Sequence, residues 1–520
     1  MSPLIHSGSC NRRDFLESSL AIAGGAAFGL SATACAAERV LQPDTSGTRA
    51  EGSTPDLPEP AVLASVGGVL TAAITATTRP ATIAGRRLLQ PVTYNGTFPG
   101  PTLRVRPGDY LDIAFTNRIV FDQSDTRPGY GRPPRRANMS NLHYHGMHVP
   151  PTGMADNMLL MVPPNGRQRY LFQIPADHPA GLFWYHEHVH GLVTNHVGRG
   201  AAGMIYVANA YTDQLAALGI RHRLMMLQQA FLEPGLDTLT SNDSERDDPD
   251  RALSLINGRL MPELRMRPGE PQVWSLLNAS TSAFYALRLE GHTFDVVADD
   301  GVPLQPPGRL GQETLVLPSG KRLEVVVRAA RSPRRYTLSY DSYDQGVDTW
   351  PAKTIGTVTV EGPAWDGRDH PGPDTSTPAE DLSGVFVPPE LHRTIVFGQN
   401  DSVPEGEFGR FTINGHAWDP AYSEWTSTLG TVEEWLIRNE TEQEHPFHVH
   451  VNPFQITRRN GATVPFDGHQ DVAIIPRFGS LTVRTRFRDF TGGPILMHCH
   501  ILDHEDMGMM TRFEIASATV

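Results

Sequence analysis

Cysteine is scarce in this 520-residue chain: Cys10, Cys35 and Cys499 are all it has. That excludes a disulfide framework, the paired thiolates of structural zinc and the four thiolates of an iron–sulfur cluster. Positive charge is short as well, with 44 Lys and Arg against 57 Asp and Glu and a formal net charge of −13. Neither nucleic acid nor an acidic membrane surface is expected as a partner. The arginine-rich stretch Arg127–Arg136 is a local exception and reads as a solvated surface insertion. A long apolar run is also missing. Leu20–Ala34 is the best candidate, and it is Ala/Gly-rich, too short and too weakly apolar for a permanent membrane span.

Turn chemistry, by contrast, is abundant. The chain carries 48 Gly and 43 Pro between short polar/apolar alternations such as Tyr110–Phe115 and Arg322–Val327, which marks the class as all-β. The stretch Tyr94-Asn95-Gly96 through Pro107-Gly108-Asp109 orders a turn, a strand and a Pro-Gly-acid corner. The same order returns from Ile256-Asn257-Gly258 to Pro268-Gly269-Glu270, and a looser copy runs from Ile413-Asn414-Gly415 to Asn439. A repeat this long has the period of a domain, not of a solenoid. The expected organisation is three consecutive domains over residues 63–210, 211–362 and 391–520. A Pro/Asp/Gly/Thr-rich linker at 363–390 lies before the last of them.

Ahead of these, Asn11-Arg12-Arg13-Asp14-Phe15-Leu16 and the following apolar stretch look like a twin-arginine export signal over residues 1–36. A disordered, Pro/Ser/Thr/acid-rich tether follows over 37–62. The twin-arginine export machinery is therefore an expected partner, and the periplasm or cell exterior the expected location. Simple secretion is favoured over a lipoprotein anchored through Cys35, because Ala32 stands where a lipoprotein signal usually has Leu. A membrane becomes a partner only if Cys35 is lipidated.

Chemistry concentrates in His498-Cys499-His500-Ile501-Leu502-Asp503-His504-Glu505-Asp506-Met507-Gly508-Met509. The apolar run before it, Pro494–Met497, reads as a strand, so Cys499 faces one way while His498 and His500 face the other. One strand can thus serve two metal centres joined through a single cysteine. Two imidazoles, a thiolate and a long thioether form a blue-copper electron-transfer site. Cys499, His504 and Met509 supply three of these ligands, and His445-Pro446-Phe447-His448-Val449-His450 offers the missing imidazole. On the opposite side, four His-x-His pairs recur: His143/His145, His186/His188, His448/His450 and His498/His500. At strand spacing each pair presents both rings to one face. Eight converging imidazoles are too many for one metal and suit three coppers with room for an oxygen species.

These segments resemble the copper-binding signatures of the multicopper oxidases, the family of laccases, bilirubin oxidases and bacterial cuprous oxidases. Asn141–Gly146, Trp184–His188, His445–His450 and His498–Met509 are similar to its four motifs, and the likeness spans roughly residues 85–515. It implies three cupredoxin-like Greek-key β-sandwich domains and four copper ions per chain. His445, Cys499, His504 and axial Met509 would hold a type 1 copper, and His143 and His448 a type 2 copper. His145, His186, His188, His450, His498 and His500 would hold a type 3 pair. The middle domain carries no motif histidine, so its expected role is to hold the outer two in place.

The resemblance also implies a reaction: four one-electron oxidations of a small donor, coupled to reduction of dioxygen to two waters. Phenols and aromatic amines are the expected donors, with cuprous, manganous or bilirubin-like donors as alternatives. Electrons would pass from His445 or His504, whichever is less buried, through Cys499 to His498 and His500. Glu505 and Asp156 are the carboxylates expected to manage protons. Asp156 has a competing reading as a loop-capping residue beside Asn157. Met139, Met147, Met154, Met158 and Met161 read as apolar filling, far from the type 1 site, rather than as cuprous ligands. His148, His190 and His196 read as supporting or surface residues. A monomer is the family's default. A pure electron carrier would need only the type 1 set. A structural relative that had lost its coppers would show substituted ligands, and here all are present.

Overall fold

The computed structural model describes residues 56–121, 137–232, 239–240, 252–376 and 378–517. The expected export signal, most of the expected tether, Cys10, Cys35 and the Arg127–Arg136 stretch lie outside them. The fold is all-β, as three cupredoxin-like sandwiches. In the first, strand Tyr110–Arg118 buries Leu111, Ile113 and Phe115 on one face and pairs in parallel with Val69–Thr77. The same parallel pairing opens the other two, between Arg221–Leu232 and Pro271–Asn278 and between His392–Gln399 and Val432–Asn439. A second sheet closes over each to bury an apolar core.

The sequence repeat has a structural cause. Asn95, Asn257 and Asn414 all sit at positive φ (56°, 51° and 51°), which Asn tolerates better than most residues, and each is followed by a positive-φ glycine. Each asparagine then accepts a backbone hydrogen bond from its sandwich's parallel-paired strand: from Thr75 N, Met226 N and Val396 N at 2.7–2.8 Å. A further triplet escaped the sequence reading. Asn117, Asn278 and Asn439 each donate twice to carbonyls and accept from the backbone N–H two residues on. In the third sandwich this asparagine grips Gln443 O and Pro476 O, which fixes the turn that delivers His445.

Two expectations change on contact with the structure. The end of the tether expected over 37–62 is packed: Leu57 is buried in the second sandwich's core, and Leu57 N donates to Glu263 O at 3.0 Å. One apolar residue in a polar stretch gives no periodicity to read. Among the described residues the segment 363–390 carries no strand, yet Leu382 is buried and Leu382 N donates to Gln455 Oε1. Arg484 Nη1 donates to the carbonyls of Leu382, Ser383 and Val385, so this segment runs pinned along the third sandwich.

Where the first and second sandwiches meet, Tyr206 lies edge-on to His222, whose Nε2 reaches Ser275 Oγ, which in turn donates to buried Glu324 at 2.7 Å. Burial pushes the Glu324 carboxyl up from 4.5 to about 7, opposed by the Ser275 hydrogen bond. A carboxyl whose folded pKa lies above its unfolded value costs nothing below pH 4.5. It destabilises the fold as pH rises to about 7, by at most about 3 kcal/mol. Glu324→Gln should therefore melt above wild type at pH 8 and level with it at pH 4.5, by calorimetry of the metal-free protein. An identical difference at both pH values would contradict this.

The histidine strands belong to facing sheets of the first and third sandwiches. Antiparallel register sets Trp184 against His145 and His186 against His143, and likewise His448 against His498 and Phe447 against Cys499. Behind them, Asp506 accepts from Gly191, Val193 and Thr194 N–H at 2.6–3.3 Å, tying the third sandwich to the short helix Val193–Gly198 of the first.

Candidate metal centre

Strand Pro494–Cys499 divides its side chains as its alternation requires. Cys499 enters the third sandwich's core beside Met497 and Met509, while His498 faces His448 and His450. On the core side, Cys499 Sγ lies 3.4 Å from His445 Nδ1 and 3.8 Å from His504 Nδ1, and those two nitrogens are 3.2 Å apart. Met509 is buried beside them, with its chain held by Met509 N to His504 O and Cys499 N to Met509 O. Burial pushes the thiol well above its usual range, although Ile501 N–H donates to the sulfur. A coordinated metal would deprotonate it. His445 Nε2 is engaged by Thr441 Oγ1 at 2.7 Å, and His504 is stacked on Phe411 at 3.9 Å. His445 is fully buried, whereas His504 retains 4% exposure, so His504 is the less buried of the two.

On the other side all eight motif imidazoles converge into one buried cage. His145 Nδ1 and His500 Nε2 are 3.3 Å apart, with His186 in the same group. His188 Nε2 and His450 Nε2 lie 3.3 and 3.2 Å from His498 Nε2. His143 and His448 are left between these two triads, their rings stacked on His450 at 4.1 Å and on His145 at 3.8 Å. Burial and neighbouring imidazoles hold most of these rings well below the usual histidine range, so their lone pairs stay free.

The donor atoms fit metal ions. Nε2 of His143, His186 and His448 is buried without a protein partner, while the opposite nitrogen of each is bonded. Buried polar atoms left unpaired cost about 1–3 kcal/mol each, and a ligand removes that cost. Fixing one ring nitrogen by a carboxylate or carbonyl is how metal-binding imidazoles are oriented.

Both candidate carboxylates lie against this cage. Asp156 sits 3.0 Å from His143 Nδ1 and accepts from Tyr144 N, and burial lifts it from 3.8 to about 7. The loop-capping alternative does not describe its main contact. Glu505 is fully buried, 3.1 Å from His498 Nδ1 and 3.5 Å from His188 Nδ1, with neither oxygen receiving an aligned donor. Burial raises its carboxyl, but the His498 and His188 imidazoles outweigh that and hold it below the usual range. Two acids pushed apart in this way can play different proton roles.

Sequence reasoning missed Asp471, Arg322, Ser319 and Thr441. None belongs to a motif; Asp471, Arg322 and Ser319 meet the site through tertiary packing, and Thr441 through the turn before His445. The supporting histidines find definite places: His148 bonds Val451 O and Asp489, His196 reaches Ala137 O, and His190 lies between Phe408 and Trp418. The methionines scatter. Met147 fills the first core and Met154 and Met161 are exposed. Met158 packs as apolar filling on Trp418, Leu496 and Met510 of the third sandwich.

Two ligand sets on adjacent residues of one strand, inside three cupredoxin-like sandwiches, define a class: enzymes that pass electrons between copper centres. Multicopper oxidase family models match residues 75–126 with 135–211, 184–361 and 388–519, and the chain belongs to the multicopper oxidase family, oxidoreductases that act with dioxygen. Multicopper oxidase mco of Staphylococcus haemolyticus is 25% identical over 435 residues, 82% of this chain and 83% of its own. A laccase of Bacillus stratosphericus is 23% identical over 477 residues, 81% of this chain and 90% of its own. Among solved structures, a Campylobacter jejuni multicopper oxidase, titled a metallo-oxidase, matches with a TM-score of 0.70 at 23% identity. It covers 89% of this chain and 94% of that one.

Proposed function

We propose that this protein oxidises a phenol or aromatic amine one electron at a time and reduces dioxygen to two waters. His445, Cys499, His504 and Met509 would hold the type 1 copper and His143 and His448 the type 2 copper. The triads His145/His186/His500 and His188/His450/His498 would each hold one ion of the type 3 pair. Bound copper would supply the one-electron steps and the four-electron delivery to dioxygen. The observation that carries this reading is that Cys499, buried at the thiolate site, is flanked in the chain by His498 and His500 of the cage.

The donor would dock at the His504 edge. Thr441 occupies His445 Nε2, and the hairpin Tyr343–Trp350 of the second sandwich covers the segment before it: Glu444 N donates to Gln345 O, and Gln443 to Asp348. Phe411, stacked on His504 from the core side, backs that ring. Asp156 and Glu505 orient His143, His188 and His498 and would hold protons at their carboxylates beside the cage.

Turnover on dimethoxyphenol and on cuprous ion, with and without added copper, tests the substrate class. Phenol oxidation should proceed without added copper. A strong rise on adding copper, with cuprous ion the better donor, would move the assignment to a metal oxidase. Export through the twin arginines is proposed alongside: Arg12→Lys with Arg13→Lys should retain the protein in the cytoplasm, and unchanged export would contradict it.

A further inference from the structure

Resting on the copper reading above, we infer that the loop Pro318–Arg322 of the second sandwich is a positioning element for one end of the histidine cage. Arg322 sets His145 and His448 through Asp471, and Ser319 sets His500 directly. The expectation drawn from the sequence gave this domain only the role of holding the outer two in place, because it has no motif histidine. The contacts assign it more.

Arg322 is fully buried, and its guanidinium forks onto Asp471 of the third sandwich, Nη1 to Oδ1 at 2.6 Å and Nη2 to Oδ2 at 2.5 Å. A bidentate fork fixes the plane of the carboxylate as well as its position. Asp471 Oδ1 in turn lies 3.1 Å from His145 Nε2, while Asp471 O receives His448 Nδ1 at 2.9 Å. With those nitrogens occupied, His145 presents Nδ1 and His448 presents Nε2 to the cage. The arginine is held from behind: its Nη2 donates to Asp300 O, its Nη1 to Gly320 O, and its own N–H to Asp300 Oδ1. Asp300 Oδ2 also receives Asp471 N and Val472 N at 3.0 and 2.8 Å, so the same acid steers the Asp471 backbone.

The loop touches the third ring of this end too. Ser319 Oγ donates to Ser280 O and is left to accept from His500 Nδ1 at 3.2 Å, which turns His500 Nε2 inward. Gly320 lies so close that a Cβ there would stand 2.8 Å from the His500 ring. Gly146, next after His145, is under the same constraint. At φ +80°, its Cβ would meet Arg322 Nη2 at 2.2 Å and Asp471 Oδ2 at 2.7 Å. The glycine of the first histidine motif thus makes room for an arginine of another domain. At the opposite end Glu505 of the third sandwich lies beside the His188 and His498 rings, and Asn141 and Leu496 O hold the backbone N–H of His188 and His450.

The test uses the full-length, copper-loaded protein with Arg322→Lys, Gly146→Ala and Ser319→Ala. Lysine keeps the charge without the fork; alanine at 146 displaces the fork without removing a charge; Ser319→Ala deletes the hydrogen bonds to Ser280 O and from His500 Nδ1 and changes no charge. Read-outs are copper retained after dialysis against a mild chelator, the type 2 paramagnetic resonance signal, the blue absorption and apo-protein melting. The variants should keep the blue colour while the cage binds copper about 10–100-fold more weakly, with the type 2 signal altered or lost. Wild-type retention and signal in Arg322→Lys and Gly146→Ala would overturn the inference; should those two fail to fold, the same result in Ser319→Ala would. Absence of blue and type 2 signals from wild type would instead overturn the copper reading beneath it.

Discussion

Replacing Cys499 by serine should bleach the protein and stop turnover of every donor while the histidine cage still binds metal. Cys499 is the only free cysteine among the described residues, and it is buried between His445 and His504. A serine oxygen is a hard, weakly acidic ligand where a soft thiolate is required. The chain path from that side chain to His498 and His500 is a matter of adjacent residues, so no other group can substitute for it. The rate loss should exceed the about 10–100-fold that removing an outer partner of a ligand costs. The fold should survive, because Ile501 N–H can donate to a hydroxyl as it does to the sulfur. Steady-state oxidation of dimethoxyphenol, the visible spectrum and the type 2 resonance signal check this together. A Cys499→Ser protein that turns over at the wild-type rate would remove the bridge from the mechanism.

Replacing Glu505 by glutamine should separate electron entry from oxygen reduction. The carboxylate is enclosed between His188 and His498 with no aligned donor, an arrangement that costs energy unless protons or water use it. Copper content and blue colour should match wild type, and the donor should bleach the blue colour as fast as before. Return of the colour on adding dioxygen, and steady-state turnover, should slow by about 10²–10⁴-fold, the usual worth of a positioned acid or base. Asp156→Asn should act differently, because Asp156 bears on His143 rather than on the triads. Its first effect should be a changed type 2 signal. If Glu505→Gln reoxidises at the wild-type rate, the carboxylate is only a spacer.

How much of this could be read from the chain follows from the range of each interaction. The four His-x-His pairs are local: strand alternation alone puts both rings of a pair on one face, and the Asn-Gly turns announce where such strands begin. Convergence of the pairs needed only that the outer sandwiches meet. What decides the orientation of His145, His448 and His500 is not local. Asp471 lies far along the chain from His145, and Arg322 reaches it from another sandwich. Leu57 reads as part of a polar tether because a single buried side chain has no period. Gly146 shows the limit best. Its place in a histidine motif is obvious, but its reason, an arginine from the second sandwich, exists only in three dimensions.

The account depends most on a thiolate centre and a histidine cage being loaded side by side in one chain. Paramagnetic resonance and visible spectroscopy of the purified, copper-reconstituted protein, with total copper counted on the same sample, test that directly. The expected result is a blue protein whose type 1 and type 2 signals integrate equally, with the remaining copper present but silent as a coupled pair. A colourless protein, or one whose copper is all of a single paramagnetic kind, would contradict it.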